Sequence, residues 1–359
     1  GFGNTYMGQA TAYVSSGGIP NTLLQPAVTR SWEAGFDAKF LQNRIGVDFT
    51  VYNRLTSNDI LTSQISATSG FGSVSLNTGK MRNTGVELLL TGTPVRYGKT
   101  SWDMSFNLGY NKNRVLELVD GQDLIVMQQS RPGLYSDGGV PAYINAEVGQ
   151  PLGIITGYTY KRDDKGNIIY NDQGFPVRGD IAKLGNSVPP LTMGFNNEFR
   201  YGSLFASILV DAKFGGKISS GTNNLAYVAG LHKKTLEGRE TGITGQGVTE
   251  SGGINKVTVS AQDYYTWVAN NITEEFVYDA SFVKLRQVVL GVNLPHNWTN
   301  RVKINDASLS FVARNLFTFY SKVPLVDPES TFLNGNVQGL EMLALPATRS
   351  YGINLNVKF

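Results

Sequence analysis

One run of aromatic side chains is the part of the sequence best suited to contact a ligand. The run reads Asp263-Tyr264-Tyr265-Thr266-Trp267. Tyr and Trp rings can stack on sugar faces or cover peptide side chains, and such rings are also common at protein interfaces. We therefore take Tyr264, Tyr265 and Trp267 as candidates for contact with a ligand or partner. Packing of the run onto its own neighbours is the alternative.

Residues for catalysis and metal binding are scarce. The absence of Cys excludes disulfides, thiolate metal sites and a Cys nucleophile. The two histidines, His232 and His296, are too few for a His-rich metal site and leave little room for a His-based triad. No paired carboxylates or nucleophile–base arrangement stands out, so we expect no enzyme, cofactor or metal. The net charge of +3 gives no reason to expect a nucleic-acid partner.

Three stretches partly match the sequence motifs of ligand-binding loops, but their residues are more typical of turns. Gly98-Lys99-Thr100 is similar to the end of a phosphate-binding loop, but Thr93 stands where that loop needs Gly. The glycines of 242–247 are in the wrong order for a dinucleotide site. Residues 161–174 lack the alternating oxygen ligands and terminal Glu of a calcium loop. We expect two hairpin turns there, in a small β-ribbon over 151–180.

Strict alternation of apolar and polar residues is the dominant pattern of the chain. Nine segments show it, and this period of two is typical of β-strands. In the clearest segment the apolar face consists of Trp102, Met104, Phe106, Leu108 and Tyr110. The apolar faces carry no charge, and Asn197 is their one strongly polar residue. A Lys or Arg facing lipid at the bilayer midplane costs about 2–4 kcal/mol, which is a physical reason for a strand face without charged residues.

The connections between these segments alternate in length. The expected short connections are 41–44, 94–100, 201–202 and 295–303. The expected long connections are 55–82, 112–190, 215–280 and 315–347. Outer-membrane barrels have short periplasmic turns and long extracellular loops. Counting strands back from the last one, we expect 1–27 to be an extracellular loop and 28–359 to be barrel strands with long extracellular loops.

The sequence thus predicts an all-β, transmembrane antiparallel β-barrel. No apolar run approaches the roughly 20 residues of a membrane-spanning helix. The segments run about 9–13 residues, against about 5–6 for most strands of soluble proteins. Aromatic residues lie near their ends, as in interface girdles. A soluble β-sandwich or β-helix is the alternative, because alternation alone does not say which face is buried.

Several stretches of the sequence resemble one family. They are 83–88, 194–197 with 211–216, 280–286 with 294–295, 313–317, and the closing 350–359. With them the chain resembles the C-terminal portion of a SusC/RagA-type TonB-dependent outer-membrane transporter. The resemblance implies about nine C-terminal strands of a larger, 22-stranded barrel, with the N-terminal plug absent from this chain. It also makes Phe359 the terminal residue for barrel assembly.

The resemblance further implies a function. Such transporters import an oligomeric nutrient, glycan or peptide, with energy from the TonB complex acting through the plug. The implied partners are a SusD-like surface lipoprotein over the long loops, the oligosaccharide or peptide substrate, and outer-membrane lipid. A non-transporting barrel that serves as an adhesin or scaffold in a larger envelope assembly is the alternative. Lumen charges such as Asp103, Glu198 and Arg314 are expected to pair across strands.

Overall fold

A single antiparallel sheet of nine strands organises the molecule. The computed structural model describes residues 2–6, 9–12, 17–77, 79–119, 121–130, 139–299, 303–330 and 338–358. Among these residues the sheet strands are β1 (Val28–Phe40), β2 (Ile45–Ser57), β3 (Lys80–Tyr97), β4 (Thr100–Glu117), β5 (Leu191–Tyr201), β6 (Leu204–Phe214), β7 (Phe282–Asn293), β8 (Asp306–Ser321) and β9 (Ser350–Lys358). Each strand pairs with the next one along the chain. The expected all-β fold is confirmed.

The apolar face of this sheet is open rather than buried. Alternate residues share a face, and the pairing register aligns apolar side chains in rows across the strands. One row consists of Trp102, Phe199, Ala206, Leu290, Phe311 and Ile353. Phe36 is 56% exposed and Ile353 is 79% exposed. An apolar surface of this extent is stable only when something apolar covers it, so the face suits hydrocarbon and not a packed interior.

Asn197, the polar exception on the apolar face, has a local partner. The Trp102 indole Nε1 donates a hydrogen bond to Asn197 Oδ1 at 3.2 Å. The Trp102 ring also stacks on Phe199, with 5.4 Å between centroids. The pair satisfies the indole donor and one amide acceptor, which lowers the cost of placing them among apolar side chains.

The strands extend farther than the alternation suggested. Residues 80–82 and 112–117, expected in loops, belong to β3 and β4. The observed short connections are 41–44, 98–99, 202–203 and 294–305, and the long ones are 58–79, 118–190, 215–281 and 322–349. The outward face of the upper parts of β3 and β4 carries Arg82, Lys112 and Arg114, so the apolar alternation stops there while the backbone ladder continues. Pro94 lies at a bulge between Gly92 and Val95. Strand pairing is interrupted there, so the ladder does not require the backbone N–H that Pro lacks.

The long connections contain the buried cores of the molecule. Leu124–Gln129, Tyr143–Glu147, Ile154–Tyr160 and Arg178–Asn186 form a four-stranded sheet. The expected hairpin turns of the ribbon are present, with Gly166 at φ +85° and Gly174 at φ +84°. Three further pairs of short strands are Phe2–Tyr6 with Gln9–Ala12, Ile169–Tyr170 with Val248–Thr249, and Ile243–Thr244 with Thr258–Val259. Two small sheets have three strands: Ser73–Asn77 lies between Gly18–Ile19 and Ile60–Gln64, and Lys217–Ser220 lies between Val277–Asp279 and Leu340–Glu341.

The loops also contain helices. They are α1 (Gly221–Val228), α2 (Ala261–Asn271) and α3 (His296–Thr299), with 3₁₀ turns at Ala67–Ser69, Lys233–Leu236 and Glu274–Phe276. Within the described part of the chain, no helix combines the length and apolar character needed to cross a membrane. The side chains of α2 pack into a buried cluster with Tyr227, Ile272 and Phe276. We refer to the segments 118–190 and 215–281 as the loop unit.

Candidate functional site

A charged cluster on the polar face of β6 and β7 attaches a long connection to the sheet. Its members are Asp211, Lys213, Lys284, Arg286, Asp327 and Glu329. Lys284 Nζ lies 2.6 Å from Asp327 Oδ1 and 2.8 Å from Glu329 Oε2. Arg286 contacts Asp211 through Nε at 2.5 Å and through Nη2 at 3.0 Å, and it also contacts Glu329. Three cations meet three anions, so the cluster is neutral overall.

A bulge in β7 places Arg286 in this cluster. Leu209 pairs with Gln287 and Val210 pairs with Leu285, which leaves Arg286 as the extra residue. A bulge redirects a side chain without breaking the strand. Beside it, the ring of Phe282 is 1% exposed and has Lys284 Nζ 4.7 Å from its centroid. The stretches 211–216 and 280–286, which carried the resemblance, therefore meet at one place.

Charge attaches the first part of the connection 322–349 to the sheet, whereas Leu340 and Met342 in its later part pack into a buried apolar core. Burial opposes ionisation of Glu329, but hydrogen bonds and charges from Lys284 and Arg286 outweigh it and lower the pKa of Glu329 to about 2. The Lys284 side chain is only 6% exposed, so its charge depends on these carboxylates. A crevice of about 230 Å³ adjoins the cluster and is lined by Asn315 and Arg349 among others.

A hydrogen-bonded row of polar side chains crosses the same face at β2, β3 and β4. Tyr52 donates to Asn111 Oδ1 at 3.2 Å, and Asn111 donates to Asn83 Oδ1 at 3.1 Å. Asn113 also donates to Asn83, at 2.9 Å, and accepts from the Leu152 backbone N at 2.8 Å. The row thus reaches from the sheet into the loop unit. Asn83, one of the residues that carry the family resemblance, therefore serves as the acceptor for both Asn111 and Asn113.

Close packing accompanies this row at Gly85. A Cβ at Gly85 would lie 2.4 Å from the Tyr52 ring. The missing side chain lets the Tyr52 ring lie directly against the strand. The row has no signature in the sequence, because Asn and Gly residues in an alternating strand have no distinctive spacing.

The three aromatic candidates lie on helix α2 and pack within the loop unit. Tyr265 is 4% exposed, and its hydroxyl donates to the Lys234 carbonyl at 2.7 Å. The Trp267 ring stacks on Phe175 with 4.8 Å between centroids, and its Nε1 donates to the Pro176 carbonyl at 3.0 Å. The Tyr264 hydroxyl lies 3.3 Å from the Tyr170 hydroxyl.

The helix around these residues was not anticipated, but the sequence contains its signal. Ser260 Oγ accepts from the Asp263 backbone N at 3.1 Å and donates to Asp263 Oδ2 at 2.6 Å, so Ser260 is the N-cap of the helix and Asp263 has the spacing of a capping-box residue. Apolar residues then recur at helical spacing at 261, 265, 268, 269 and 272. Tyr264 and Trp267 are half-buried, and contact of any of the three side chains with a ligand stays a prediction.

Two adjacent carboxylates join the parts of the loop unit. Glu275 accepts from the Tyr160 hydroxyl at 2.9 Å and the Tyr227 hydroxyl at 2.8 Å, and it contacts Lys234 Nζ at 2.6 Å. Burial, followed by the nearby Glu275 charge, raises the pKa of both tyrosines, so they remain hydrogen-bond donors. Glu274 binds Arg162 through both carboxylate oxygens, at 2.9 and 3.0 Å. Ribbon, α1 and α2 are held as one unit.

The lumen charges differ in their partners. Asp103 lies 4.0 Å from Arg96 on the neighbouring strand. Arg314 donates across strands to Gln287 Oε1 at 3.1 Å. Glu198 instead pairs with Arg200 on its own strand, so the expected cross-strand partner is wrong for this residue. Phe359, expected as the assembly residue, lies outside the described residues.

No feature of the described residues resembles a catalytic or metal centre. The described His, Asp and Glu residues form no group of three or more that could hold a metal ion. A hollow of about 910 Å³ lies on the apolar face, around Ala206 and between the rings of Trp102 and Phe311. Its position on the apolar face makes it unsuitable for a polar oligomer. The polar face and the loop unit are the candidate functional surface.

A nine-stranded sheet with an open apolar face, a polar face and long loops at one end defines part of an outer-membrane β-barrel. Comparison with known families agrees with this class. The family model described as TonB dependent receptor-like, beta-barrel matches residues 1–316. The chain belongs to this family, and the protein is an outer-membrane protein.

Individual relatives support the SusC/RagA-type resemblance. TonB-dependent receptor P3 of Formosa agariphila is 26% identical, over 94% of this chain and 35% of that protein. TonB-dependent receptor SusC of Bacteroides thetaiotaomicron is 22% identical, over 92% of this chain and 32% of that protein. The solved RagAB peptide transporter has the same fold, with a TM-score of 0.68 at 20% identity, covering 99% of this chain and 38% of that one.

The chain spans about a third of the length of these relatives. This agrees with a sheet of nine strands that is not closed into a barrel. An open sheet edge in lipid would leave backbone groups unpaired. The described sheet is therefore one section of a wall.

Proposed function

We propose that this chain forms part of the wall of a transporter that imports an oligomeric nutrient, a glycan or a peptide, across the outer membrane. The long connections and residues 1–27 lie on the cell exterior. The observation that carries the proposal is the attachment of folded loops to the polar face, through the charged cluster and the Tyr52–Asn113 row. A wall with one face for lipid and one polar face that supports loops suits a lumen through which a large polar solute passes.

We further propose that a SusD-like surface lipoprotein covers the loop unit and that the TonB complex supplies energy through a plug outside this chain. The loop unit exposes apolar side chains that have no partner among the described residues. Leu231 is 79% exposed and Ile254 is 74% exposed. Large exposed apolar side chains at loop tips suit a protein interface. The relatives titled RagAB and SusC are consistent with such a partner.

Ligand contact by Tyr264 and Trp267 is part of this proposal. Both side chains are half-buried on α2, so part of each is accessible at the surface of the loop unit. Tyr264 packs on the buried Tyr265, and Trp267 packs on Phe175. The wall itself performs no chemistry, because transport requires binding and passage only.

The decisive experiment uses the full-length parent protein in its own cell. Deletion of its gene should abolish growth on one oligomeric glycan or peptide mixture while growth on the monomers is unchanged. Loss of TonB should give the same defect. Purification of the protein in detergent should recover a lipoprotein in a stoichiometric amount, identified by mass spectrometry.

Two results would contradict the proposal. Unchanged uptake of every oligomer after deletion, together with lost surface adhesion, would favour the adhesin or scaffold. Recovery of the parent chain as a soluble periplasmic protein would show that it does not form a membrane barrel.

A further inference from the structure

Four cations lie together on the outward side of the sheet at its long-loop end, beyond the apolar band. They are Arg30, Arg82, Lys112 and Arg114, and we call them the cationic belt. Arg30 pairs with Leu55, Leu55 pairs with Arg82, and Arg82 pairs with Arg114. Lys112 lies one step below Arg114 on the same face, because alternate residues share a face.

The belt lies directly above the end of the apolar band. Arg30 is two residues from Trp32 on β1, and Lys112 is two residues from Tyr110 on β4. Trp32 and Tyr110 are both exposed on the apolar face, where interface aromatics are expected. The four cations therefore occupy the level at which hydrocarbon gives way to lipid headgroups.

Protein carboxylates do not neutralise the belt. All four side chains are exposed, and within the described part of the chain none of them forms an ion pair. The neighbouring Lys80 does have a partner, since its Nζ lies 2.6 Å from Glu117 Oε2. Arg82 and Arg114 are directly opposite, and like charges in that position destabilise a sheet. A purely structural role does not account for this arrangement.

Phosphate is the anion that this arrangement suits. The guanidinium group binds phosphate oxygens in a bidentate manner. The exposed guanidinium groups of the belt form no ion pair with a described carboxylate, so they are available for this contact. Neighbouring strands are about 4.8 Å apart, so the belt spans roughly 15 Å over three strand spacings. That width accommodates more than one phosphate group. The long-loop end of an outer-membrane barrel faces the outer leaflet.

We propose that the cationic belt binds the phosphate groups of a phosphorylated glycolipid in the outer leaflet. The proposal rests on the orientation proposed above, with the long loops outside, and is independent of the nutrient. The belt holds the glycolipid headgroup at a fixed place on the wall, while its acyl chains lie along the apolar face below.

The test uses the full-length protein purified in detergent and diphosphorylated lipid A as the probe. Binding is measured by native mass spectrometry. The double variant Arg82→Gln/Arg114→Gln should lower the affinity for lipid A at least about tenfold, since it removes two charge-assisted hydrogen-bonding groups. The matched control is Arg96→Gln/Arg200→Gln, because these two arginines flank Ser101 on the polar face at the short-turn end. The control should bind lipid A like the parent protein.

Folding is checked separately by the electrophoretic mobility of the unheated barrel. The belt variant should remain folded, because it relieves the repulsion between Arg82 and Arg114. Parent protein should bind phosphate-free lipid A much more weakly, and excess inorganic phosphate should not displace the lipid.

Several outcomes would overturn the proposal. They are equal lipid A binding by the belt variant, an equal loss in the control, and equal binding of phosphate-free lipid A. Full displacement by inorganic phosphate would indicate a free-phosphate site instead. A loss of phosphatidylglycerol binding in place of lipid A would show that the belt faces the periplasmic leaflet, which would reverse the orientation without bearing on nutrient uptake.

Discussion

Lys284 attaches the part of the connection 322–349 around Asp327 and Glu329 to the sheet. It is almost fully buried and its Nζ contacts Asp327 and Glu329. Removing one partner of a buried ion pair costs about 3–5 kcal/mol, because the other charge stays buried and unpaired. We expect Lys284→Met to release the segment around Asp327, seen as faster amide hydrogen exchange over 322–330 in the full-length protein.

The control for this prediction is Lys322→Met. Lys322 pairs with Asp279 at 3.0 Å, but its side chain is largely exposed. Exposed pairs contribute about 0–1 kcal/mol. Exchange in the Lys322 variant should therefore stay close to that of the parent. Equal effects of the two variants would mean that the cluster does not hold the segment.

Acid should loosen the same attachment through Glu329. Its pKa is lowered from the usual 4.5 to about 2 in the folded protein, after the opposing effect of burial is outweighed by Lys284 and Arg286. The stabilisation is therefore fully present above about pH 4.5 and is lost as the pH falls toward 2. The protection factor over 322–330, which is the intrinsic exchange rate at each pH divided by the observed rate, should fall across this range. Glu329→Gln should lower the protection factor at neutral pH and remove most of its pH dependence, and an unchanged pH profile of protection in that variant would contradict the assignment.

At the scale of elements, helix α2 depends on its cap. Ser260 Oγ accepts from the Asp263 backbone N and also contacts the Asp263 carboxylate. Loss of an N-cap hydroxyl costs about 1 kcal/mol. We expect Ser260→Ala to increase amide exchange in the first turn of α2 several-fold. Ser251→Ala is the control, because Ser251 lies in a turn and caps no helix; an equal increase there would argue against the cap.

The elements that sequence predicted best are those whose apolar face is exposed to hydrocarbon. The nine strands were predictable because an uncharged alternate face is obligatory over the width of the membrane. The tops of β3 and β4 were missed, since Arg82 and Lys112 stand above that width and the alternation disappears. Helix α2 was not predicted although Ser260 and Asp263 have the spacing of a helix start, because rings such as those of Tyr264, Tyr265 and Trp267 suit a ligand surface as well as a buried core.

The candidate site was predictable in part. The stretches 211–216 and 280–286 are marked in the sequence by the family resemblance, but nothing in the sequence indicates that Asp211 and Arg286 are in contact. Their contact needs the bulge in β7, which moves Arg286 onto the polar face. Asp327 and Glu329 come from a distant connection, and no local pattern links them to Lys284.

At the scale of the whole molecule, the two faces of the sheet should respond differently to charge. Ile208 is on the apolar face of β6, and its neighbour Leu209 is on the polar face. An Arg facing the middle of the bilayer costs about 2–4 kcal/mol, whereas a polar lumen tolerates it. We expect Ile208→Arg to reduce the folded barrel recovered from outer membranes strongly and Leu209→Arg to reduce it little. Unheated gel mobility measures this, and the reverse order would mean that the faces are assigned the wrong way round.

The pairing of every strand with its neighbour in the chain has a kinetic consequence. Four hairpins, β1–β2, β3–β4, β5–β6 and β7–β8, are closed by short connections, while longer segments separate one hairpin from the next. Closing a connection of about seventy residues instead of two costs roughly 3 kcal/mol more in chain entropy. Each hairpin should therefore form its hydrogen bonds before it pairs with the neighbouring hairpin. Pulsed amide exchange during refolding into micelles should protect β5 with β6 earlier than β4 with β5, and simultaneous protection would mean that the wall forms in one concerted step.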